Sequence, residues 1–440
     1  MKQELYDLAE SGIGMAKAAG AGACRIGIDG ERTVEISYRD RKPENIKEAS
    51  TRNLGLEIFV DGRYSSMSTS DLRKDALKEF IGRAVAQTRL LDEDPFRSLP
   101  DPKYYQGRAS LDLGQVDPSY ASLTPDGRHA FVRAIEEACL EAGGDKVISV
   151  TAASTDGYGE SLLMASNGFD GYSEVTYFVA VAEMTGKDEG DRRPNEYAAA
   201  VTLRRKDLPK PEEIGAEAAR RTLALFGAKK LKTETLPVII ENRIVSRFGD
   251  GLMQAMFGRA IQQKQSFLAD KRGQKIGSGI FTLIDDPFIK GAQGARLFDG
   301  EGLAARKRVM IEGGVLKDFY VDWYYSRKLG CEPTTGYPAT LLVPPGKRPV
   351  TEIMKDLGRG ILITGFIGGN SNSTTGDTSI GIVGQLFENG VPVQAVTEMN
   401  IADNHLKLWP RLVEVGDDPY LYSARRIPSL VFEKVVVSGV

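Results

Sequence analysis

Histidine is almost missing from this chain of 440 residues: only His129 and His405 occur, nowhere near one helical turn apart. A hydrolytic zinc site on a helix draws on two imidazoles at that spacing, and no such pair is written here. Cysteine is equally scarce. Cys24, Cys139 and Cys331 lie far apart with no CxxC, which excludes a disulfide framework and a thiolate zinc site. There is no GxSxG elbow and no GxxxxGK[ST] phosphate loop. No apolar run reaches the length that spans a bilayer. The N-terminal stretch MKQELYDLAESGIGMAKAAGA alternates acidic and apolar residues, as an amphipathic helix does and a signal peptide does not. The expectation is a cytoplasmic protein. A net charge of -3 supplies no field that draws the chain to nucleic acid or to an anionic membrane. Basic runs such as Arg204-Arg205-Lys206 and Arg306-Lys307-Arg308 read as solvated faces.

What is present is ordinary globular material, 41% hydrophobic and 27% charged, in a chain too long for one compact core. The reading is α+β, with an N-terminal mixed α/β domain over residues 1–230 that contains an antiparallel sheet. A mainly β, barrel-like domain follows over 231–440, joined through the basic, Pro-bearing segment GAKKLKTETLP. Arg25 to Asp40 reads as two strands around a turn at Asp29-Gly30, and Leu54 to Ser70 as a second pair turning at Asp61-Gly62. Helices are expected over Asp71–Leu91 with Asp71 as cap, Pro125–Gly143, Pro211–Phe226 and Arg243 to about Met256. Val147–Ala153, Leu162–Ala165, Tyr172–Thr185 and Tyr197–Arg204 read as successive strands.

Candidate chemistry is thin. His129 reads as a surface residue and His405 as a structural or surface one, not a ligand. Cys331 reads as a bystander thiol. Asp285, Asp286, Asp299 and Glu301 are carboxylates that could hold a hard cation or move a proton, and Asp285-Asp286-Pro287 is equally a strand-ending turn. The stretch FIGGNSNSTTGD is rich in backbone N–H groups and hydroxyls, as an anion cradle is. It lacks a lysine and is followed by a strand-like segment, so no helix dipole backs it. A turn that touches a peptide or a partner fits it better.

Several segments of the second half resemble the TldD/PmbA family, in particular its PmbA (TldE) branch. They are GRAIQQKQSFLADKRGQKI, the IDDP turn, RLFDGEGLAARKRVMIEGGVLK, YYSRKLG, and GGNSNSTTGD followed by SIGIVGQLFENG. The resemblance is specific over about 243–390 and looser before it. It implies a metallopeptidase of two kinds of subunit, linked by name to modulation of DNA gyrase. In the TldD branch an HExxxH motif on a helix, with a later cysteine, binds zinc. Here that motif falls on Gly249-Asp250-Gly251-Leu252-Met253-Gln254, with Gly249 and Gln254 in the histidine places and Asp250 in that of the glutamate, and no cysteine follows Cys331.

The resemblance therefore implies a non-catalytic, TldE-like subunit with no cofactor of its own, zinc in a TldD-like partner, and peptides or unfolded segments as substrates. A homodimer is compatible with it. Asn370, Asn372, Ser373, Thr374, Thr375 and Asp377 are the candidate peptide or partner contacts. Two other readings stay open. One is a free-standing hydrolase with a metal held by Asp250, Asp285 or Asp286. The other is a small anion-binding module centred on Gly368 to Asp377.

Overall fold

The computed structural model describes residues 2–440. Its first sheet is six-stranded and antiparallel, in the order β3-β2-β1-β4-β5-β6. The strands are β1 (Ala23–Arg39), β2 (Lys42–Val60), β3 (Arg63–Thr69), β4 (Val147–Ala165), β5 (Asp170–Gly186) and β6 (Asn195–Thr202). Four helices accompany them: α1 (Lys2–Ala18), α2 (Lys74–Thr88), α3 (Pro125–Gly143) and α4 (Pro211–Leu223). Even-numbered residues of β1 point to one face of the sheet, since side chains alternate along a strand. At one end of that face Cys24, Ile26 and Ile28 pack with Leu5 and Ala9 of α1 and Leu77 and Ile81 of α2. At the other end Val34, Ile36 and Tyr38 pack with Val132 and Ile135 of α3 and Ala218 of α4. One long sheet thus carries two helix pairs end to end.

The strands are longer than the sequence suggests. Arg25 to Arg39 lies in one strand, with no hairpin at Asp29-Gly30: Gly30 stays in the ladder, paired with Arg52 and Glu160. The reversal comes at Asp40-Arg41, both at positive φ. Likewise Val147–Ala153 and Leu162–Ala165 belong to the single strand β4. The Gly157 in its middle is no break. The Tyr177 ring lies where a Cβ would stand, so only glycine keeps that ladder continuous. The Asp71 helix also starts late, at Lys74 after Arg73, because Asp71 spends its carboxylate on the Arg73 backbone N–H and guanidinium.

After a bridge from Lys229 to Val396, β7 (Glu234–Ile240) leads into three short helices, α5 (Asn242–Phe248), α6 (Asp250–Ala255) and α7 (Gly258–Gln262). The helix expected over Arg243–Met256 is therefore broken at Gly249. A small sheet follows, ordered β10-β9-β8-β11-β16. It comprises β8 (Leu283–Asp285), β9 (Arg308–Glu312), β10 (Val315–Leu316), β11 (Leu341–Leu342) and β16 (Arg425–Arg426), with α8 (Trp323–Leu329) and α9 (Val350–Leu357) beside it in the chain.

The remaining strands are β12 (Arg359–Ser371), β13 (Asp377–Glu388), β14 (Val391–Asn404), β15 (Leu412–Val415) and β17 (Leu430–Ser438), with the short α10 (His405–Leu408) after β14. They run β14-β13-β12-β7-β17, and β14 pairs again with β17, which closes a five-stranded barrel with β15 on its flank. Closure leaves no free edge among those five. The fold is thus α+β, with an antiparallel sheet first and a barrel after it. The Phe248 ring of α5 packs against Phe366, Trp409 and Phe432, which ties the broken helix to the barrel core.

No helix of the described residues is long and apolar enough to cross a membrane.

Candidate functional site

The segment on which the resemblance would place the zinc motif crosses the α5–α6 break. Gly249 ends α5 and begins α6 with ordinary αR backbone. Glycine is weak in a helix interior, which allows the axis to restart there. Asp250 opens α6 half-exposed, and Arg425 Nη1 lies 2.6 Å from its Oδ1. The same nitrogen donates to the Ser246 carbonyl at 3.1 Å. The one carboxylate in the motif is thus already held by a guanidinium. Gln254 is exposed. Among the described residues, no three His, Cys, Asp or Glu side chains gather where a metal ion could be held. The donor set here, a glycine, a paired aspartate and an amide, does not suit zinc, which takes nitrogen, sulfur and carboxylate ligands in a tetrahedron.

Gly251 carries a different message. A Cβ built on it would overlap the Ser371 hydroxyl and the His405 imidazole. His405, the first residue of α10, and Ser371, from the end of β12, meet directly behind this segment, with His405 Nε2 and Ser371 Oγ 3.1 Å apart. This pair was invisible in the sequence, because the barrel fold brings together residues 34 apart, on the end of β12 and the start of α10. It has the composition of a nucleophile and base, but its proton runs the wrong way. The Trp409 indole, a donor only, gives its N–H to His405 Nδ1 at 3.2 Å. Burial lowers the imidazole to about 4, so it is neutral near pH 7. Its single proton then sits on Nε2 and is donated to Ser371. A histidine that donates to the serine cannot remove the serine's proton. Phe267 stacks on the ring at 5.8 Å. His405 is a buried structural residue, one of the two roles expected from the sequence. His129 is only partly buried, with Nδ1 3.0 Å from the Tyr38 hydroxyl.

The carboxylate candidates do not converge either. Asp285 is buried and accepts from Ala339 N at 2.8 Å, and burial pushes it up to about 6. Asp286 is paired with Lys307 at 2.8 Å. Asp299 Oδ1 accepts from the backbone of Glu301 and Leu303, each at 2.9 Å. Glu301 accepts from Trp323 N at 2.8 Å, and burial, with Asp299 and Asp322 nearby, pushes it up to about 8. Each is engaged in fixing a loop.

The Gly-Asn-Ser-Thr stretch forms the end of the β12–β13 hairpin. Gly368 and Gly369 take positive φ at a bulge where the register slips between Ile367 and Asn370. Arg247 reaches out to the carbonyls of Phe366 and Gly368, at 3.1 and 2.8 Å. Asn372 Oδ1 accepts from Thr374 N at 2.9 Å, an Asx turn. Asp377 accepts from the Thr375 hydroxyl at 2.7 Å and from Asn404 at 2.9 Å, which holds its carboxyl below the usual range. Asn372, Thr375 and Asp377 are therefore committed to the turn. The side chains of Asn370, Ser373 and Thr374 make no hydrogen bond within the described residues, and Ser373 opens onto the groove beside the motif.

That groove, of about 680 Å³, is lined by Gln254, Arg259, Arg425, Ser373 and an aromatic wall that includes Phe257 and Tyr337. The sequence offered no sign of it, since its walls come from α6, α7, the segment after α8 and the hairpin end.

With this geometry in hand, known proteins can be set beside the chain. Family models of the PmbA/TldA metallopeptidases match in three parts: domain 1 at residues 24–88, the central domain at 118–226 and the C-terminal domain at 233–439. The metalloprotease PmbA of Escherichia coli O157:H7 is 27% identical, over 99% of this chain and 96% of its own length. A solved protein from Bacteroides thetaiotaomicron, described as a candidate modulator of DNA gyrase, is 37% identical with a TM-score of 0.96 and covers 99% of each chain. The TldE of Thermococcus kodakarensis shares the fold at a TM-score of 0.86, over 98% of this chain and 100% of its own, at 23% identity. This chain belongs to the PmbA/TldA metallopeptidase family.

Proposed function

We propose that this chain is the TldE/PmbA-like, non-catalytic subunit of a cytoplasmic TldD–TldE-type zinc metallopeptidase that acts on peptides or unfolded segments. A TldD-like partner supplies the zinc. The observation that carries the reading is the motif itself. Gly249 and Gln254 stand where the resemblance would put the two histidines, and Asp250 is bound by Arg425.

The neighbouring Ser371–His405 pair does not substitute for a metal, because Trp409 fixes the imidazole as a donor toward the serine. What remains is a scaffold with the outline of a peptidase and none of its reactive groups. Such a chain contributes walls and contacts. The end of the β12–β13 hairpin, with Asn370, Ser373 and Thr374 unspent, is the segment offered to a peptide or to the partner. Alone, the chain can pair with itself through the same surface.

The test is peptidase activity of the purified chain, alone and mixed with a TldD-like chain. The reading expects none alone and activity in the mixture that a chelator abolishes. Chelator-sensitive activity from the chain alone would overturn it in favour of a carboxylate-held metal.

A further inference from the structure

The groove beside the lost motif has a chemistry of its own. Its volume of about 680 Å³ is that of a ligand pocket. One wall is aromatic: Phe257 packs on Tyr337 at 5.7 Å between ring centroids, and Tyr337 is 71% exposed at the rim. The polar lining is mostly amide and guanidinium. Gln254, Gln263 and Gln265 are exposed amides, and Arg259 is an exposed guanidinium with no ion-pair partner and no side-chain hydrogen bond among the described residues. Arg425 adds a second guanidinium, of which Nη1 alone is engaged among the described residues. The single acid of the lining, Asp322, is committed to capping α8, where it accepts from Tyr325 N at 2.7 Å. A concave surface with one guanidinium unpaired among the described residues, several amides and an apolar wall suits an anion with an apolar body.

We infer that this groove holds the carboxyl end of a peptide, with the terminal carboxylate on Arg259 and an apolar last side chain against Tyr337 and Phe257. This rests on the peptide-handling reading above. It adds that the non-catalytic chain grips substrate by its end. A terminal carboxylate is the one anion that every unmodified linear peptide carries, so the grip is independent of sequence apart from the last side chain. Arginine is suited to it because its planar fork meets both carboxylate oxygens. The attraction is that of a partly exposed pair and weakens with salt.

The experiment is calorimetric titration of the purified full chain with N-acetyl-Ala-Ala-Ala-Phe as the free acid and as the C-terminal amide. The expected result is binding of the acid, with the amide weaker by roughly tenfold or more, the worth of a charge-assisted hydrogen bond. Arg259→Gln should erase the difference between acid and amide. Tyr337→Ala should weaken both. Both residues are exposed, so the variants should fold, and circular dichroism checks that they do. Acid and amide binding alike, no binding of either, or an unchanged acid preference in Arg259→Gln would overturn the inference. Zinc content of the same preparation reports separately on the subunit reading. A zinc-free chain that does not tell acid from amide loses the grip and keeps the subunit role. A zinc-loaded chain loses the subunit role itself.

Discussion

Arg425 reaches from the small sheet to Asp250 at the first turn of α6, Nη1 to Oδ1 at 2.6 Å. The pair occupies one oxygen of the Asp250 carboxylate and joins β16 to the helix that the barrel core supports. Both side chains are at least one-third exposed, so solvent screens the pair and its worth is small. Arg425→Ala should therefore cost at most about 1 kcal/mol in urea unfolding. It should also leave the chain unable to retain zinc through dialysis, since a freed aspartate alone is not a site. Zinc retained by that variant would show that Arg425 masks a competent site.

Gly251 is a packing requirement, not a helix accident. Any Cβ there meets Ser371 and His405. Gly251→Ala should destabilise the chain by about 1–3 kcal/mol, the cost of overpacking a filled core. Adding Ser371→Gly should recover part of that loss, because one of the two obstructing groups is gone. Thermal melts of the two variants beside wild type test this. A Gly251→Ala protein as stable as wild type would contradict the geometry.

Two buried groups should bend stability with pH in opposite senses. His405 is lowered in the folded chain to about 4 from an ordinary 6.5. The unfolded chain therefore binds the extra proton first, and stability is lost as pH falls from about 6.5 to about 4, by up to about 3 kcal/mol. Glu301 is raised to about 8 from 4.5. The folded chain keeps that proton longer, so the contribution is fully present below about 4.5 and is lost as pH rises toward about 8. Urea unfolding from pH 4 to pH 9 should show His405→Gln losing the acid-side decline and Glu301→Gln losing the alkaline-side one. Unchanged profiles would contradict these environments.

The hairpin end separates two roles. Asn372→Ala and Asp377→Ala should loosen the turn, because their side chains close it. Asn370→Ala should leave the melting temperature unchanged, since its side chain makes no hydrogen bond among the described residues. If this segment meets the partner, Asn370→Ala should still weaken association with a TldD-like chain in analytical ultracentrifugation. Undiminished association would remove Asn370 from the interface.

Much of this was legible in the residues. The hairpin at Asp61-Gly62 and the helix Pro125–Gly143, entered through Thr124, stand where turn and cap chemistry put them. The barrel followed from strand signals separated by glycine turns. The misreadings came from glycine. Asp29-Gly30 reads as a turn yet sits in a ladder beside Glu160, and Gly157 lies between two expected strands yet keeps them one, with Tyr177 where its Cβ would be. Local propensity cannot see a side chain from another strand. For the same reason the Ser371–His405–Trp409 arrangement and the groove at Arg259 were hidden, since barrel closure and the packing of α7 bring those residues together. The motif positions Gly249, Asp250 and Gln254 were legible as residues, but not the ion pair that occupies the middle one.

The most direct measurement is the metal content of the purified, tag-free chain, by mass spectrometry after brief dialysis in zinc. The account predicts essentially no bound zinc, since Gly249 and Gln254 offer no imidazole and Asp250 is held by Arg425. Near-stoichiometric zinc would contradict it, and the ligands would then have to be sought among the carboxylates and His405.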